Sequence, residues 1–532
     1  MPSSKWLLIL CLAVWSRFGG ANDDDSTCEA SPPHTTEVPS DCRLVMAPSA
    51  IPGGGWGIFT LVERRKGTVL HPSGDLAIQL NDLVDPEKAI GMRQLLHEYL
   101  WDSHETGGFY EGQHVMSMIP GPGMLANGMS TAFNVLPYVP RVDEAGLTRA
   151  GSPGAGAITH YHNLTFWFAR DVAAGGEVLL HYGPGWFQER AGKVLEVSPD
   201  EPILKRDPQW LRENGYCLDN LESHRSKILD AGRGAFAGRD LMEGSVVTPV
   251  PVMPIASVDS LLLTLPKLDG SFSHGRQLLL NYCWGHENST LLLYPYSNHV
   301  NLINHSPNPN VGLRWLAGTT FPSLDTMQVD QPHGLLLELV ALRDIRRGEE
   351  IVMDYGTSWS EAWEKHVNDW TPPPGAERYA PSYVHDDAIQ SLRLEKELKT
   401  HPYPDNIFTS CFYKYNATED KRTSSERNSV TTVPWQMSRG LFELSNLRPC
   451  LVLERQHDTK KGTTFTVQIK NRFGLSPEQR VSGAHIVTEV PRRAIRFSDK
   501  IYTTDQHLPG AFRHPIGIPY DVFPEEWMDL ST

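Results

Sequence analysis

His299-Val-Asn-Leu-Ile-Asn304-His305-Ser306-Pro-Asn-Pro-Asn310 and, further along, Glu350-Ile-Val-Met-Asp354-Tyr355-Gly356 constrain this chain more than any other part of it. The second stretch closes a strand-like apolar run, Leu335-Leu-Leu-Glu-Leu-Val-Ala-Leu-Arg-Asp-Ile345. Upstream lies a glycine segment, Ala231-Gly-Arg-Gly-Ala-Phe236, followed by Gly244. Each piece alone is a weak signal, but their order and spacing together are specific. Around them, short apolar runs are separated by glycine and proline, the pattern of a mainly β fold.

The same arrangement occurs earlier in the chain. Gly55, Gly57, Phe59, Gly67, Val69 and Pro72 recur as Gly232, Gly234, Phe236, Gly244, Val246 and Pro249, each displaced by 177 positions. Asn127 stands at the same displacement from Asn304. Further on, Arg170-Asp-Val172, Glu177, Tyr182-Gly183 and Trp186 recur as Arg343-Asp-Ile345, Glu350, Tyr355-Gly356 and Trp359, displaced by 173. A four-residue difference in a connecting loop accounts for the change. Residues 42–190 and 217–370 therefore read as two copies of one fold. The copies are not chemically equal: Asn304-His305 is matched by Asn127-Gly128, and Asp354-Tyr355 by His181-Tyr182. The second copy is the better candidate for binding and chemistry, and the first reads as a scaffold.

These segments resemble the signatures of the SET-domain lysine methyltransferases, Asn-His-Ser-x-x-Pro-Asn and Glu-(apolar)-x-x-Asp-Tyr-Gly. The resemblance implies two SET-like β-clip repeats, followed by a C-terminal β-rich domain with a few short helices. It implies S-adenosyl-L-methionine as cofactor and a protein substrate with an accessible lysine. Tyr355 takes the place of the catalytic tyrosine, which also borders the cofactor. Asn304 and His305 match the pair that holds the cofactor where the chain crosses itself. Gly232 and Gly234 match the glycines whose backbone approaches it, where a Cβ would obstruct. Asp354 would act indirectly by fixing the loop that presents Tyr355. A structural tyrosine capping a buried carbonyl is the alternative for Tyr355, and a structural role in the crossing is the alternative for Asn304-His305. Two departures stand out: Pro307 replaces the cysteine frequent after the Asn-His-Ser of histone-type members, and no Cys-x-Cys-x4-Cys follows Tyr355. No zinc-binding closing module is present, so no metal is expected, and substrate closure would fall to the tryptophan-rich segment after Tyr355 or to the last domain. The three-part arrangement is also similar to that of SET-like secretory proteins of unicellular algae. The function implied is methylation of a non-histone protein; a catalytically silent binding or structural protein is the alternative.

A formal net charge of -15 argues against non-specific nucleic-acid binding, which needs a basic surface. It suits a basic protein substrate. Lys5, the apolar run Trp6-Leu-Leu-Ile-Leu-Cys-Leu-Ala-Val-Trp15 and the small residues Gly19-Gly-Ala21 have the pattern of a secretory signal peptide over residues 1–21. An uncleaved anchor is the alternative. After the signal, no segment approaches the roughly 18 to 20 apolar residues of a membrane span. The expected location is the secretory pathway or outside the cell, with onward import into a plastid left open. Cys28, Cys42, Cys217, Cys283, Cys411 and Cys450 are compatible with disulfides in such a compartment, in any pairing, or with buried thiols. Asn163, Asn288 and Asn416 head glycosylation sequons. Oligomeric state is not legible.

Residues 22–41 read as a polar leader, and Ser198–Pro202 through Asp207–Arg212 as a short proline-marked connector. A helix is expected from Ser358 to Trp370, with Trp359, Ala362, Trp363, His366, Val367 and Trp370 on one face. Core packing is the expected use of that face, with His366 buried in it; an aromatic wall over the site is the alternative. After a helical connector near Asp386–Leu398, residues 400–532 read as one compact β-rich domain that carries no chemical motif. Phe465–Ile469 and Ala494–Phe497 alternate at strand period.

Overall fold

The computed structural model describes chiefly residues 38–71, 78–81, 99–102, 115–138, 164–190, 204–266, 272–323, 334–372, 392–415, 430–471, 480–499 and 512–528, apart from short gaps. The expected signal peptide, most of the expected leader, Cys28, Asn163, Asn416 and Ser198–Pro202 lie outside the described residues. The fold is mainly β, with few short helices. No helix among the described residues is long and apolar enough to cross a membrane.

Two four-stranded sheets carry the repeated stretches. In the first, Glu177–Val178, Trp56–Thr60, Leu44–Pro48 and Tyr216–Cys217 lie side by side. In the second the order is Leu221–Arg225, Arg233–Ala237, Glu350–Met353 and Asn304–His305. Asn304–His305 runs parallel to Val352–Met353, so the two decisive stretches become immediate neighbours. The registers correspond. Ala235 faces Ile351 and Phe236 faces Glu350; in the earlier sheet Ile58 faces Val178 and Phe59 faces Glu177. Even the parallel pairing His305–Met353 has its counterpart in an isolated bridge, Gly128–Leu180.

Behind the second sheet, a six-stranded sheet orders Val311–Trp315, Leu336–Ala341, Val246–Ile255, Leu292–Pro295, Trp284–Gly285 and Ile516–Gly517. Its apolar residues Val250, Leu293, Leu337 and Leu339 are fully buried, and the same cluster takes in Ile78, Leu80 and Met118 from the earlier segment. The two segments thus share core and are not beads on a string. Val45 also pairs with Cys217, and a Cys42–Cys217 disulfide joins the heads of the two segments. A second disulfide, Cys411–Cys450, lies in the C-terminal six-stranded sheet, and Cys283 is a buried free thiol.

Two expectations change and one gains detail. The helix is Thr357–Asp369, but none of its residues is buried and Trp363 is 38% exposed. Its aromatic face is therefore not core, and His366 stacks on Trp363 instead of being enclosed. The connector after Asp207 is helical, Pro208–Asn214. Asp207 accepts from the amides of Gln209 and Trp210 with proline in the first turn, which is a complete start signal. Finally, the end of the chain leaves the C-terminal sheet. Ile516–Gly517 joins the six-stranded sheet beside Trp284–Gly285, and Trp527 is fully buried against Trp315 and Phe321.

Trp527 also donates its indole N–H to the Pro322 carbonyl at 2.8 Å. Trp527→Ala should therefore cost about 3–5 kcal/mol in denaturant unfolding. A loss below about 1 kcal/mol would place the chain end outside the cooperative fold.

Candidate functional site

The site is assembled around a carboxylate. Glu350 is buried, and its oxygens accept from the Ser226 hydroxyl at 2.6 Å, the Lys227 amide at 2.8 Å and the Asn304 side-chain amide at 3.2 Å. The Asn304 amide also donates to the Arg233 carbonyl at 3.0 Å. A Cβ at Gly234 would collide with this carboxylate, so the absent side chain of Gly234 makes room for Glu350. Gly232 differs: its backbone is left-handed, φ 71°, and nothing stands within 4 Å of where its Cβ would be. Asn310 completes the frame, donating to the Glu350 carbonyl at 2.8 Å and accepting from the Val352 amide at 2.9 Å.

His305 and Tyr355 follow from that frame. The His305 Nδ1 accepts from the Tyr355 backbone N–H at 3.1 Å, and the rings lie 5.4 Å apart. Burial lowers the His305 pKa, partly offset by Asp354. The imidazole is therefore neutral at pH 7 with its proton on Nε2, and its 3.8 Å approach to Asp354 is not an ion pair there. Asp354 instead accepts from the Gly356 amide at 2.9 Å. The Tyr355 hydroxyl donates to the Ile303 carbonyl. Burial raises its pKa, with a further push from Tyr282, so the group remains a hydroxyl at neutral pH. Tyr282 is itself buried and pushed up to about 12 by burial. Sequence reasoning assigned no role to Tyr282 or Asn310. Asn310 ends the decisive stretch and was within reach, whereas nothing periodic marks Tyr282.

The earlier segment repeats this frame. Glu177 accepts from Ser49 at 2.7 Å, the Ala50 amide at 2.9 Å and Asn127 at 3.1 Å. Asn134 donates to the Glu177 carbonyl, and the Tyr182 hydroxyl donates to the Ala126 carbonyl at 2.7 Å. One contact differs in kind. A Cβ at Gly128 would collide with the Tyr182 ring, so that ring occupies the space in which the His305 side chain begins in the later segment. A compact group of possible metal donors, Cys42, Cys217 and Asp219, has its two sulfurs committed to the disulfide.

The family model of the SET domain matches residues 232–356, which span the glycines, Asn304-His305 and Tyr355. Residues 232–356 are a SET domain. Several solved structures share similarity with it. One, described as a histone methyltransferase of Plasmodium falciparum, is 18% identical with a TM-score of 0.18, over 26% of this chain and 96% of that one. Polycomb repressive complex 2 of Chaetomium thermophilum, in an autoinhibited conformation bound to S-adenosylmethionine, is 19% identical with a TM-score of 0.18, over 27% of this chain and 17% of that one. KRYPTONITE, in complex with mCHH DNA, an H3(1-15) peptide and SAH, is 19% identical with a TM-score of 0.16, over 26% and 23%. This chain thus spans less than a quarter of the latter two. No curated protein matches it.

Of the paired carboxylates, Glu177 has its pKa raised by burial, against hydrogen bonds from Ser49, Asn127 and Ala50 and the charge of Arg206. A raised folded-state value means that the folded chain binds more protons than the unfolded one. The stabilisation is therefore complete below the ordinary value of 4.5 and is lost as pH rises through the folded value. In urea melts across that range, the stability of wild type relative to Glu177→Gln should decline as pH increases. A difference that grows with pH would contradict this assignment.

Proposed function

We propose that this protein is an S-adenosyl-L-methionine-dependent lysine methyltransferase of the SET type, acting through residues 217–370 on a non-histone protein. Residues 42–190 are, in this proposal, a degenerate copy without transfer activity. The observation that carries the proposal is the partly buried Tyr355 hydroxyl, held to the Ile303 carbonyl beside a neutral His305 on the Asn304–Glu350 frame.

Gly232, with open space above a left-handed backbone, together with Asn304 and His305, fits a bound cofactor. That cofactor would supply an activated methyl group. The chain's own part is to receive a lysine amine in its neutral form, although the ordinary pKa is about 10.4. Burial beside Tyr355 and Tyr282 disfavours the ammonium and promotes that form. The Tyr355 hydroxyl and the Ile303 carbonyl present oxygen to the charge that moves during transfer. Because the raised pKa keeps Tyr355 protonated, it orients by hydrogen bonding and not as a base. The net charge of -15 favours a basic protein partner. The two disulfides support a secretory or extracellular location, consistent with the signal-like N-terminus.

A silent binding module is the second reading, and one observation favours it: Tyr182, in the segment without the histidine, makes the same hydroxyl-to-carbonyl bond as Tyr355. Calorimetric titration with S-adenosyl-L-methionine separates the two. One binding event per chain is expected, lost in His305→Ala and kept in Asn127→Ala. No binding to wild type would select the silent module.

Tyr355→Phe should lower transfer of radioactive methyl groups to secretory-pathway proteins by roughly 10²–10³, the usual effect of losing one preorganised donor. Its melting temperature should change little, because the ring stays. Equal transfer by both proteins would remove Tyr355 from the mechanism.

A further inference from the structure

The stretch Phe512–Ile518 reaches back to the tyrosine loop. The Asn281 side chain grips it at two points, donating to the Phe512 carbonyl at 2.8 Å and accepting from the His514 amide at 3.1 Å. Ile516 then donates to the Cys283 carbonyl, and Ile518 to the Gly285 carbonyl. Between them, the Gly517 amide donates to the Tyr355 carbonyl at 2.8 Å. A Cβ at Gly517 would stand 2.9 Å from that carbonyl, and one at Gly356 would stand 3.5 Å from the Gly517 Cα, so the two backbones are in direct contact. The Phe512 ring lies 5.8 Å from Trp359, 5.2 Å from Trp363 and 5.3 Å from His366. Trp359 in turn packs on both Tyr355 and His305.

We infer that Phe512–Gly517 is a clamp on the Tyr355 loop, and that Asn281, Phe512 and Gly517 are positioning residues of the SET site; the inference rests on the methyltransferase reading for its effect on rate. Tyr355 is fixed at three atoms. Its N–H is held by His305, its hydroxyl by Ile303, and its carbonyl by Gly517. The first two holds come from the SET domain itself; the third arrives from beyond the C-terminal sheet. The Thr357–Asp369 helix buries none of its residues, so Phe512 is the aromatic cover that fixes Trp359 against the loop.

The test uses the full chain carrying Asn281→Ala, Phe512→Ala or Phe512→Tyr. Hydrogen exchange at the Tyr355 and Gly356 amides should accelerate about tenfold in both alanine variants, as expected for losing one or two hydrogen bonds or their cover. Melting should hold, since the Trp527 anchor is intact. The kcat for methyl transfer should fall about tenfold or more, while cofactor affinity stays within about twofold of wild type. Phe512→Tyr should recover most of the rate. Unchanged exchange in both alanine variants would overturn the clamp, and so would cofactor affinity falling in step with kcat. Should Asn281→Ala fail to fold, Phe512→Ala, which alters a partly exposed ring, decides alone. A wild type that transfers no methyl group defeats the methyltransferase reading, whereas the exchange measurement still decides the clamp.

Discussion

A carboxylate taken out of water must find hydrogen-bond donors, and most of this site follows from how Glu350 finds them. Its three donors come from two separate stretches: the Ser226 hydroxyl and the Lys227 amide from one, and the Asn304 side chain from the other. Satisfying them draws the stretch after Leu221–Arg225 and the crossing stretch around Asn304 onto the Glu350–Met353 strand. The position facing the carboxylate has to be glycine, and it is Gly234. Once Asn304 is fixed, His305 lies parallel to Met353, and its Nδ1 meets the Tyr355 amide without further adjustment. Placement of the tyrosine is therefore a consequence of burying one acid at the head of the strand that leads into it.

The same frame around Glu177 shows what it can and cannot deliver. With Ser49, Asn127 and Asn134 in equivalent roles, it holds Tyr182 to the Ala126 carbonyl just as Glu350 holds Tyr355 to Ile303. What it lacks is the imidazole. Gly128 lets the Tyr182 ring fill that space, while His181, which packs on Phe133 and Phe187, accepts from the Gly183 amide at 3.0 Å as Asp354 does from Gly356. One difference, Gly128 in place of a histidine, thus exchanges the hydrogen bond to the tyrosine amide for a packed ring, while the cap on the following glycine is kept.

Much of this was legible in the sequence because it is carried by local spacing. The displacement of 177 and then 173 positions located Asn304, Glu350 and Tyr355 against their earlier counterparts, and their strand registers obey it. Strand period marked Phe465–Ile469 and Ala494–Phe497, which overlap the strands Gly462–Ile469 and Ile495–Asp499. What failed depended on distant partners. Helical periodicity marked an aromatic face on Thr357–Asp369, but period alone cannot say whether a face meets a core or a single ring such as Phe512. The partner of Gly234 was also hidden, because nothing local shows that the carboxylate filling its side-chain space lies 116 residues away on Glu350. Asn281 and Phe512 are 231 positions apart, and neither carries a pattern that points to the other.

The shared core gives the segment without the histidine a structural role. Ile78, Leu80 and Met118 pack into the cluster that also contains Leu293, Leu337 and Met353, and the Gly121 amide bonds to the Tyr296 carbonyl. The first segment is thereby part of the wall on which the second stands. Ile516, Ile518 and Trp527 enter the same cluster from the opposite end of the chain. A SET domain cut at its family boundaries, 232–356, would expose apolar surface on both sides and lose the Gly517 contact to Tyr355. Removing either flank forfeits burial worth roughly 25 cal/mol per Å² of apolar surface. The site is therefore a property of the whole fold, in which the earlier segment contributes shared core and the chain end contributes the third hold on Tyr355.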